Sequence, residues 1–554
     1  MQVEKSSKPF ILQNWLPLLL AATTAVGMLV GYKMNNDTAL IEISRYSDIS
    51  EDTNSRGGAI EELIQYINGK YVDKIDSEQL TNEVITDMLN HLDPHSVYMN
   101  KTELVQATED LDGEFDGIGI EFIIIEDTLS VVSVLSGGPS EQAGILPYDK
   151  FIAVNDSIIA GKKMGTDDMA DKMRGKGGSK VKISLLRKGE NKLKDINIIR
   201  GKIAIKSVDA AYMLNADCGY IKINRFSEHT YKEFMENLER LITQNKIKDL
   251  VIDVRQNPGG YLEEATKILS QLFPQKDKLL VYTKGRNNNK TEYKSSGKPF
   301  FDIRNIALLI DEGAASASEI MAGALQDWDR AVVVGRRSYG KGLVQEQFDL
   351  SNGGAVRLTV ARYFTPSGRC IQRDYINDTD YNDEAENRYA SGELLTGKNI
   401  PTDTTKYFTN NGRVVFGGGG ITPDVFVAID TALLNNTLLE LRQYIPKFAF
   451  NYYNNNKSQF DKYTTPATFI QQYQVNETLL NEFVRYAQKQ GAKTNVLIST
   501  SNRKNIATLL KAQFTRLQFK DVGYFMALNQ NDPVLQAALK AIANPKILEK
   551  QATK

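Results

Sequence analysis

The stretch Ile306-Ala-Leu-Leu-Ile-Asp-Glu-Gly-Ala-Ala-Ser-Ala-Ser-Glu-Ile320 joins an apolar run to small residues and the start of a helical pattern. Its first five residues predict a buried strand, and Ser318–Gln326 predicts a helix. Ser316 therefore lies at a strand-to-helix turn, where a hydroxyl is exposed and the helix N-terminus favours developing negative charge. A second interpretation is that Ser316 or Ser318 only caps the helix.

The same strand–helix rhythm extends to both sides of this turn. Strand patterns are found at Cys218–Ile223, Asp249–Val254 and Ala331–Val334, and helix patterns at Tyr231–Ile242 and Leu262–Phe273. Such alternation is typical of α/β units packed around one sheet. We therefore predict an α/β core over residues 201–430, within a multidomain protein that has both α/β and α+β parts.

Length and composition exclude several classes of protein. The chain of 554 residues is too long for one core, so roughly three or four folding units are expected. Its net charge of −1 gives no global field that would recruit nucleic acid. Its two cysteines fit no zinc pattern. We expect no metal, no organic cofactor and no nucleic-acid partner.

The beginning of the chain predicts a membrane anchor. Lys5 and Lys8 precede an uncharged run from Trp15 to Tyr32. The whole stretch 10–32 is long enough to cross a bilayer, with aromatic residues at the interfaces. We predict that this stretch is a single span in the cytoplasmic membrane.

The flanking charges predict the orientation of this span. Residues 1–9 form a cytoplasmic tail, residues 33–57 form a linker, and the catalytic part lies in the periplasm or outside the cell. The alternative is a cleaved signal peptide, with a weak small-residue site formed by Ala21, Ala22 and Ala25.

Helical patterns are found on both sides of the core. Residues 58–110 carry two or more runs with helical spacing, and residues 431–554 carry further runs. Asp532-Pro533 predicts the start of one of these C-terminal helices. The asparagine-rich stretch Asn451–Asn456 is predicted to separate the helical extension from the core.

Residues 111–200 contain short β-rich runs with glycine turns. The most informative signals are Gly117-Ile-Gly-Ile120, Pro139, Ala143-Gly-Ile145, Asp149 and Val154-Asn-Asp156. The segment resembles a PDZ domain of the bacterial protease type, although Tyr148 replaces a common glycine. Because glycines let backbone N–H groups converge on a carboxylate, Gly117, Ile118, Gly119 and Ile120 are predicted to bind a peptide tail. A plain glycine turn entering a strand is the alternative.

Lys341 is the candidate base for Ser316. It lies in Gly340-Lys-Gly342, 25 residues after the serine, whereas none of the three histidines is near in sequence. A lysine buried in a low-dielectric site loses its proton more easily, as a general base near neutral pH requires. The alternative is a solvated turn lysine.

Asn257-Pro-Gly-Gly260 follows the strand pattern at Asp249–Val254 and places backbone N–H groups at the end of the sheet. One of these groups and the amide of Ala317 are predicted to form an oxyanion hole. A simple Pro-Gly-Gly turn is the alternative.

Together these motifs resemble the carboxyl-terminal processing peptidases, also called tail-specific proteases. The resemblance covers roughly residues 60–430 and rests on Ser316-Ala-Ser-Glu-Ile320, Ala324-Leu-Gln-Asp327, Gly340-Lys-Gly342, Gln345, Leu92-Asp-Pro-His-Ser96 and Asp253-Val-Arg-Gln-Asn-Pro-Gly-Gly260. It implies that Ser316 is the nucleophile, Lys341 the general base and Gln345 the residue that orients the lysine. It also implies oxyanion donors at Ala317 and in the Gly259-Gly260 turn.

The resemblance implies a serine endopeptidase that cleaves proteins near their carboxyl-terminal tails. Tails would be captured by the PDZ-like segment, and the helical flanks would support a homodimer or another partner. Two other functions are kept as alternatives. One is a non-enzymatic exported scaffold that binds tails, and the other is a Ser–His hydrolase with His95 as its base.

Overall fold

The computed structural model describes residues 53–287, 289–375, 381–398, 404–493 and 499–549. The predicted span 10–32 and its cytoplasmic tail lie outside these residues, as does most of the predicted linker. In the described part, no helix is both long and apolar enough to cross a membrane. The chain divides into two compact units, Met1–Met88 and Leu89–Lys554.

The described part of the first unit is helical, as predicted. It contains α1, Thr53–Lys70, and most of α2, Ser77–Asn90. The second unit begins with β1, Val97–Met99, and α3, Lys101–Asp112. Asn100 caps α3 by accepting hydrogen bonds from the N–H groups of Thr102 and Glu103.

The segment after α3 is a β-rich domain. Its elements are β2 Glu114–Gly117, β3 Ile120–Ile125, β4 Thr128–Val134, α4 Pro139–Gln142, β5 Lys150–Val154, β6 Ser157–Ile158, α5 Thr166–Met173, β7 Lys180–Leu186, β8 Leu193–Ile199 and β9 Gly201–Ala204. An antiparallel sheet has the order β3-β4-β5-β7-β8, with β6 paired to β5. Its core includes the fully buried Leu129, Phe151 and Ile183, because alternate residues of each strand face inward.

The α/β core follows the predicted rhythm. Its elements are β10 Val208–Met213, β11 Cys218–Ile223, α6 Thr230–Asn245, β12 Asp249–Asp253, α7 Leu262–Leu272, β13 Lys276–Lys284, β14 Thr291–Ser296, β15 Asn305–Ile310, α8 Ala317–Asp327, β16 Ala331–Gly335, β17 Leu343–Asp349, β18 Ala355–Phe364, α9 Glu384–Ala390, α10 Glu393–Thr396, β19 Tyr407–Phe408, β20 Val414–Val415 and β21 Val425–Phe426. The central sheet has the order β10-β11-β12-β15-β16-β21. All its pairs are parallel except β10 with β11.

The predicted strands of the core lie together in the one central sheet, but the core also contains a second sheet that was not predicted. A five-stranded antiparallel sheet has the order β1-β18-β13-β14, with β17 also paired to β18. Its strands β14 and β17 are largely exposed and carry many charged and polar residues. They therefore lack the continuous apolar run that marks the buried strands of the parallel sheet.

The C-terminal extension is helical, as predicted. Its helices are α11 Asn436–Arg442, α12 Ile445–Asn455, α13 Lys457–Phe460, α14 Pro466–Gln472, α15 Glu477–Lys489, α16 Thr500–Asn529 and α17 Pro533–Ala543. The asparagine-rich stretch is not a separator, because Asn451–Asn455 lies within α12. Burial of Phe448, Phe450 and Tyr453 in that helix outweighs the weak helix propensity of asparagine.

The last helix of the extension packs on the central sheet. Val534, Leu535 and Ala538 of α17 share an apolar cluster with Val251 and Leu309 of the sheet. The opposite face of the same strands packs against α6, α7 and α8. A helix layer thus covers each face of the sheet, as its two apolar faces require.

We expect Leu535→Ala to lower the free energy of unfolding by about 2–4 kcal/mol, because Leu535 is only 3% exposed between α17 and the sheet. Urea denaturation followed by circular dichroism measures this loss. The control is Leu439→Ala on α11, where the side chain is 47% exposed and the expected change is below about 0.5 kcal/mol. Equal losses in the two variants would contradict a core role for α17.

Candidate active site

Ser316 lies between β15 and α8 in a strained backbone conformation. Its φ is +53° and its ψ is −114°, a region that L-residues rarely occupy. Strain of this kind costs about 1–3 kcal/mol and persists only where surrounding contacts enforce it. Within the described residues the Ser316 side chain does not cap α8. The interpretation of Ser316 as only a helix cap is therefore not supported.

Ser318 has a structural environment. It is fully buried, and its Oγ donates a hydrogen bond to the carbonyl of Asn257 at 3.0 Å. The N–H of Ala315 donates to the same carbonyl at 3.0 Å. Ser318 therefore links the turn that holds Ser316 to the Pro-Gly-Gly turn, and its hydroxyl already has a hydrogen-bond acceptor.

The buried carboxylate of Glu319 connects Ser316 to the Lys341 turn. It accepts hydrogen bonds from the N–H of Ser316 at 2.9 Å, Gly340 at 2.7 Å and Lys341 at 2.9 Å, and from the Ser338 hydroxyl. Burial raises the pKa of Glu319 above the ordinary glutamate value, although these donors act in the opposite direction. Glu319 was not predicted to have a role, although its position three residues after Ser316 has capping-box spacing.

Tyr363 of β18 makes a second connection between the two segments. Its hydroxyl lies 3.1 Å from the Ser316 carbonyl and 2.5 Å from the Lys341 carbonyl, and it donates to this pair of acceptors. The ring is almost fully buried. No sequence motif around Tyr363 indicates this role, because the contact depends on the pairing of β18 with strands distant in the chain.

Lys341 and Gln345 are in direct contact, as the predicted roles require. Lys341 Nζ donates a hydrogen bond to Gln345 Oε1 at 3.0 Å. Gln345 Nε2 in turn donates to the backbone carbonyl of His95. The side chain of Asp93 holds this segment by accepting from the N–H groups of His95 and Ser96, each at 2.8 Å. The Leu92–Ser96 motif therefore orients Gln345.

The environment of Lys341 favours its neutral form. Burial lowers the pKa of Lys341, and the nearby charge of Arg357 lowers it further. Glu319 and Asp93 act in the opposite direction, and the net result is a pKa below the ordinary lysine value. This direction suits a general base.

The ring of His95 has a different hydrogen-bond partner. Its Nε2 lies 2.8 Å from the hydroxyl of Tyr381. Burial, followed by the charge of Lys341, lowers the pKa of His95 to about 4. The residue supports Gln345 through its carbonyl, and its imidazole is a weak base.

The Pro-Gly-Gly turn lies against Ser316. A Cβ on Gly259, whose φ is +101°, would lie 2.7 Å from Ser316 Cβ and 3.0 Å from the Ala317 nitrogen. Only glycine allows this approach. The Gly259 N–H donates to Asn257 Oδ1 at 2.9 Å. Within the described residues, the N–H groups of Gly260 and Ala317 have no hydrogen-bond acceptor.

One cleft connects these groups. It has a volume of about 910 Å³, and its lining includes Ser316, Lys341, Gln345, Gly259, Gly260, Ile320 and Arg357. The structure therefore brings the predicted nucleophile, base and orienting residue together with the glycine turn. In the described residues, no group of three or more His, Cys, Asp or Glu side chains could hold a metal ion.

The predicted tail-binding loop lies apart from this cleft in the β-rich domain. Gly119 has φ +74°, and its carbonyl accepts from the N–H of Leu135 at 3.0 Å. The carbonyl of Ile118 accepts from the N–H of Ser140 at 3.0 Å, and its side chain is buried in the domain core. Gly117 ends β2 and Ile120 begins β3, so the loop leads directly into a strand at the end of the sheet.

Family patterns match most of the chain. Peptidase family S41 matches residues 217–381, and the PDZ domain family matches residues 117–198. The activating protease CtpB N-terminal domain matches residues 20–103. A family of unknown function matches residues 436–520 in the helical extension.

Individual relatives agree with these matches. The chain is 38% identical over 325 residues to the carboxy-terminal processing protease CtpB of Bacillus subtilis (strain 168), covering 58% of this chain and 66% of that protein. It is 36% identical to a carboxy-terminal-processing protease of Bartonella bacilliformis, covering 56% and 71%. It is 33% identical to a probable CtpA-like serine protease of Staphylococcus aureus (strain N315), covering 67% and 73%. The chain belongs to the S41 family of serine peptidases, among the carboxy-terminal processing proteases.

Proposed function

We propose that this chain is an endopeptidase that cleaves proteins near their carboxyl-terminal tails, with Ser316 as nucleophile and Lys341 as general base. The observation that carries the proposal is the Glu319 carboxylate, which binds the N–H groups of both residues. This contact fixes the two segments together at one cleft. Gln345 orients the lysine from its other end.

The reaction proceeds by acyl transfer. Neutral Lys341 takes the proton of Ser316 as Oγ attacks the substrate carbonyl, and the lysine then gives that proton to the leaving amine. Lys341 then takes a proton from water as the water attacks the ester carbonyl, and it returns that proton to Ser316 Oγ as the carboxylic acid product leaves. The N–H groups of Ala317 and Gly260 stabilise the oxyanion, while Gly259 provides the close approach to Ser316.

Tail capture is assigned to the β-rich domain. The Gly117–Ile120 loop presents backbone N–H groups to a terminal carboxylate, and β3 pairs with the residues before it. The position of β3 at the end of its sheet supports this assignment. Substrates are therefore proteins with exposed carboxyl-terminal tails.

The cellular setting is part of the same proposal. The uncharged stretch 10–32 would anchor the chain in the cytoplasmic membrane, with its catalytic part in the periplasm or outside the cell. Self-association through the helical flanks stays a prediction.

The two alternatives are less well supported. A scaffold that only binds tails gives no reason for the Lys341–Gln345 hydrogen bond or for the strain at Ser316. A Ser–His hydrolase requires a basic imidazole, whereas His95 has a pKa of about 4 and its Nε2 bonds Tyr381.

Ser316→Ala is expected to reduce cleavage of a tail-bearing protein by at least about 10⁴-fold, because no nucleophile replaces the hydroxyl. Ser318→Ala is expected to keep measurable turnover, since it removes one structural hydrogen bond. Cleavage is followed by gel electrophoresis and mass spectrometry of the products. Retained cleavage by the Ser316 variant would exclude the proposed nucleophile.

Glu319→Gln is expected to reduce kcat by about 100-fold or more, because the amide nitrogen would point a donor at backbone N–H donors. Steady-state kinetics on folded protein, verified by circular dichroism, measures the effect. The control Glu236→Gln changes an exposed residue of α6 and should leave kcat as it is. A wild-type kcat in the Glu319 variant would contradict the proposal that Glu319 holds the Ser316 and Lys341 segments in place.

Arg357→Gln is expected to raise the pKa of Lys341, because the arginine charge no longer opposes protonation of the lysine. The limb of kcat/KM that rises with pH through this pKa should move to higher pH, so activity at each pH on that limb falls. Arg225→Gln is the matched control, since Arg225 lines the same cleft but pairs with Asp110 at 3.0 Å. The proposed base is contradicted if the limb does not move in the Arg357 variant.

A further inference from the structure

A cluster of four charged side chains is centred on Arg255, which precedes the Pro-Gly-Gly turn in the chain. Lys222 on β11 and Asp253 at the end of β12 contact Arg255, and Arg255 contacts Asp532 of the C-terminal extension. Asp253 is 1% exposed, Lys222 10%, Asp532 13% and Arg255 19%. Two cations and two anions thus balance in a largely buried setting.

Arg255 is held on two sides. Its Nε and Nη2 bind the two oxygens of Asp253, at 3.0 and 2.6 Å, and its backbone N–H donates to Asp253 Oδ1 at 2.9 Å. Its Nη1 binds Asp532 Oδ2 at 2.7 Å. Burial alone would raise the pKa of Asp253, but Arg255 and Lys222 overcome that effect and hold it below the ordinary range.

Asp532 has two contacts that use different oxygens. Its Oδ1 caps α17 by accepting from the N–H of Val534 at 2.8 Å and of Leu535 at 3.3 Å, while Oδ2 binds Arg255. The residue lies outside both the peptidase match at 217–381 and the extension match at 436–520. Residues of α17 pack on the central sheet, and Asp532 caps this helix. The packing therefore holds the Asp532 carboxylate in place next to the core.

A short series of contacts connects Arg255 to Ser316. The chain passes from Arg255 to Asn257 and Gly259 within four residues. Asn257 accepts from Ala315 N–H and Ser318 Oγ, each at 3.0 Å, and Gly259 lies in contact with Ser316. A displaced Arg255 would therefore move the oxyanion donors relative to the nucleophile, and a misplacement of about 1 Å can cost about 100-fold in rate.

We propose that Asp532 is a positioning residue for the catalytic turn, by which the C-terminal extension fixes Arg255 and, through it, the oxyanion donors beside Ser316. This inference rests on the proposed function of Ser316 and of the Gly259-Gly260 turn. Without Asp532, Arg255 would share the single carboxylate of Asp253 with Lys222. An uncompensated buried charge is costly, so the turn would shift to expose or re-pair the guanidinium.

Asp532→Asn tests this role because the change separates the two contacts. Asparagine caps a helix as well as aspartate, so α17 keeps its cap, while the amide nitrogen would face Arg255 Nη1 as donor against donor. We expect kcat to fall about 10- to 100-fold and KM to stay within about twofold, with Asp532→Glu recovering much of the loss. Asp430→Asn is the matched control. It makes the same change at an exposed capping aspartate, and kcat should stay at the wild-type value.

Kinetics are measured per folded enzyme, with the folded fraction taken from circular dichroism. If Asp532→Asn does not fold, the double variant Arg255→Gln, Asp532→Asn replaces it, because Lys222 and Asp253 then remain as a balanced pair. Reduced kcat in the folded double variant would support the inference. A wild-type kcat in either folded variant, or an equal fall in Asp430→Asn, would overturn it. Ser316→Ala is assayed in parallel, and only its retained activity would reject the proposed function itself.

Discussion

One buried carboxylate is the constraint on which the site depends. Glu319 accepts hydrogen bonds from the N–H groups of Ser316, Gly340 and Lys341, and so joins a strand-to-helix turn to a distant glycine turn. Hydrogen bonds to a charged acceptor contribute about 1.5–3 kcal/mol each, whereas the strained conformation of Ser316 costs about 1–3 kcal/mol. Two or more such bonds therefore outweigh the strain and keep the hydroxyl in the cleft.

The same carboxylate creates a difficulty that other residues resolve. Its negative charge raises the pKa of Lys341, which would keep the lysine protonated and unable to accept a proton. Burial and the charge of Arg357 act more strongly and leave the pKa lowered. The architecture thus separates two tasks. Glu319 fixes the backbone of Lys341, and the walls of the cleft set the protonation of its side chain.

Sequence patterns predicted the features that are determined by residues adjacent in the chain. Apolar runs identified the parallel strands, and small residues around Ser316 identified the turn, because each of these features depends on a few consecutive residues. The antiparallel sheet that carries Gln345 and Tyr363 was not predicted, since its exposed polar strands are specified by pairing partners far along the chain. Gln345 was found only through a family resemblance.

Long-range contacts explain the remaining differences. The stretch Asn451–Asn455 is helical because neighbouring aromatic residues are buried, which local propensity does not reveal. Likewise, nothing near Asp532 in sequence indicates that it pairs with Arg255, because the two residues are far apart along the chain. We expect Ser316 to become acylated by substrate, with Lys341 as its base. Peptide mapping by mass spectrometry, after acid quenching during turnover of a tail-bearing peptide ester, detects such an acyl-enzyme. The acyl group should be found on Ser316 and should be lost in Lys341→Ala, whereas an acyl group on another residue would exclude Ser316 as the nucleophile.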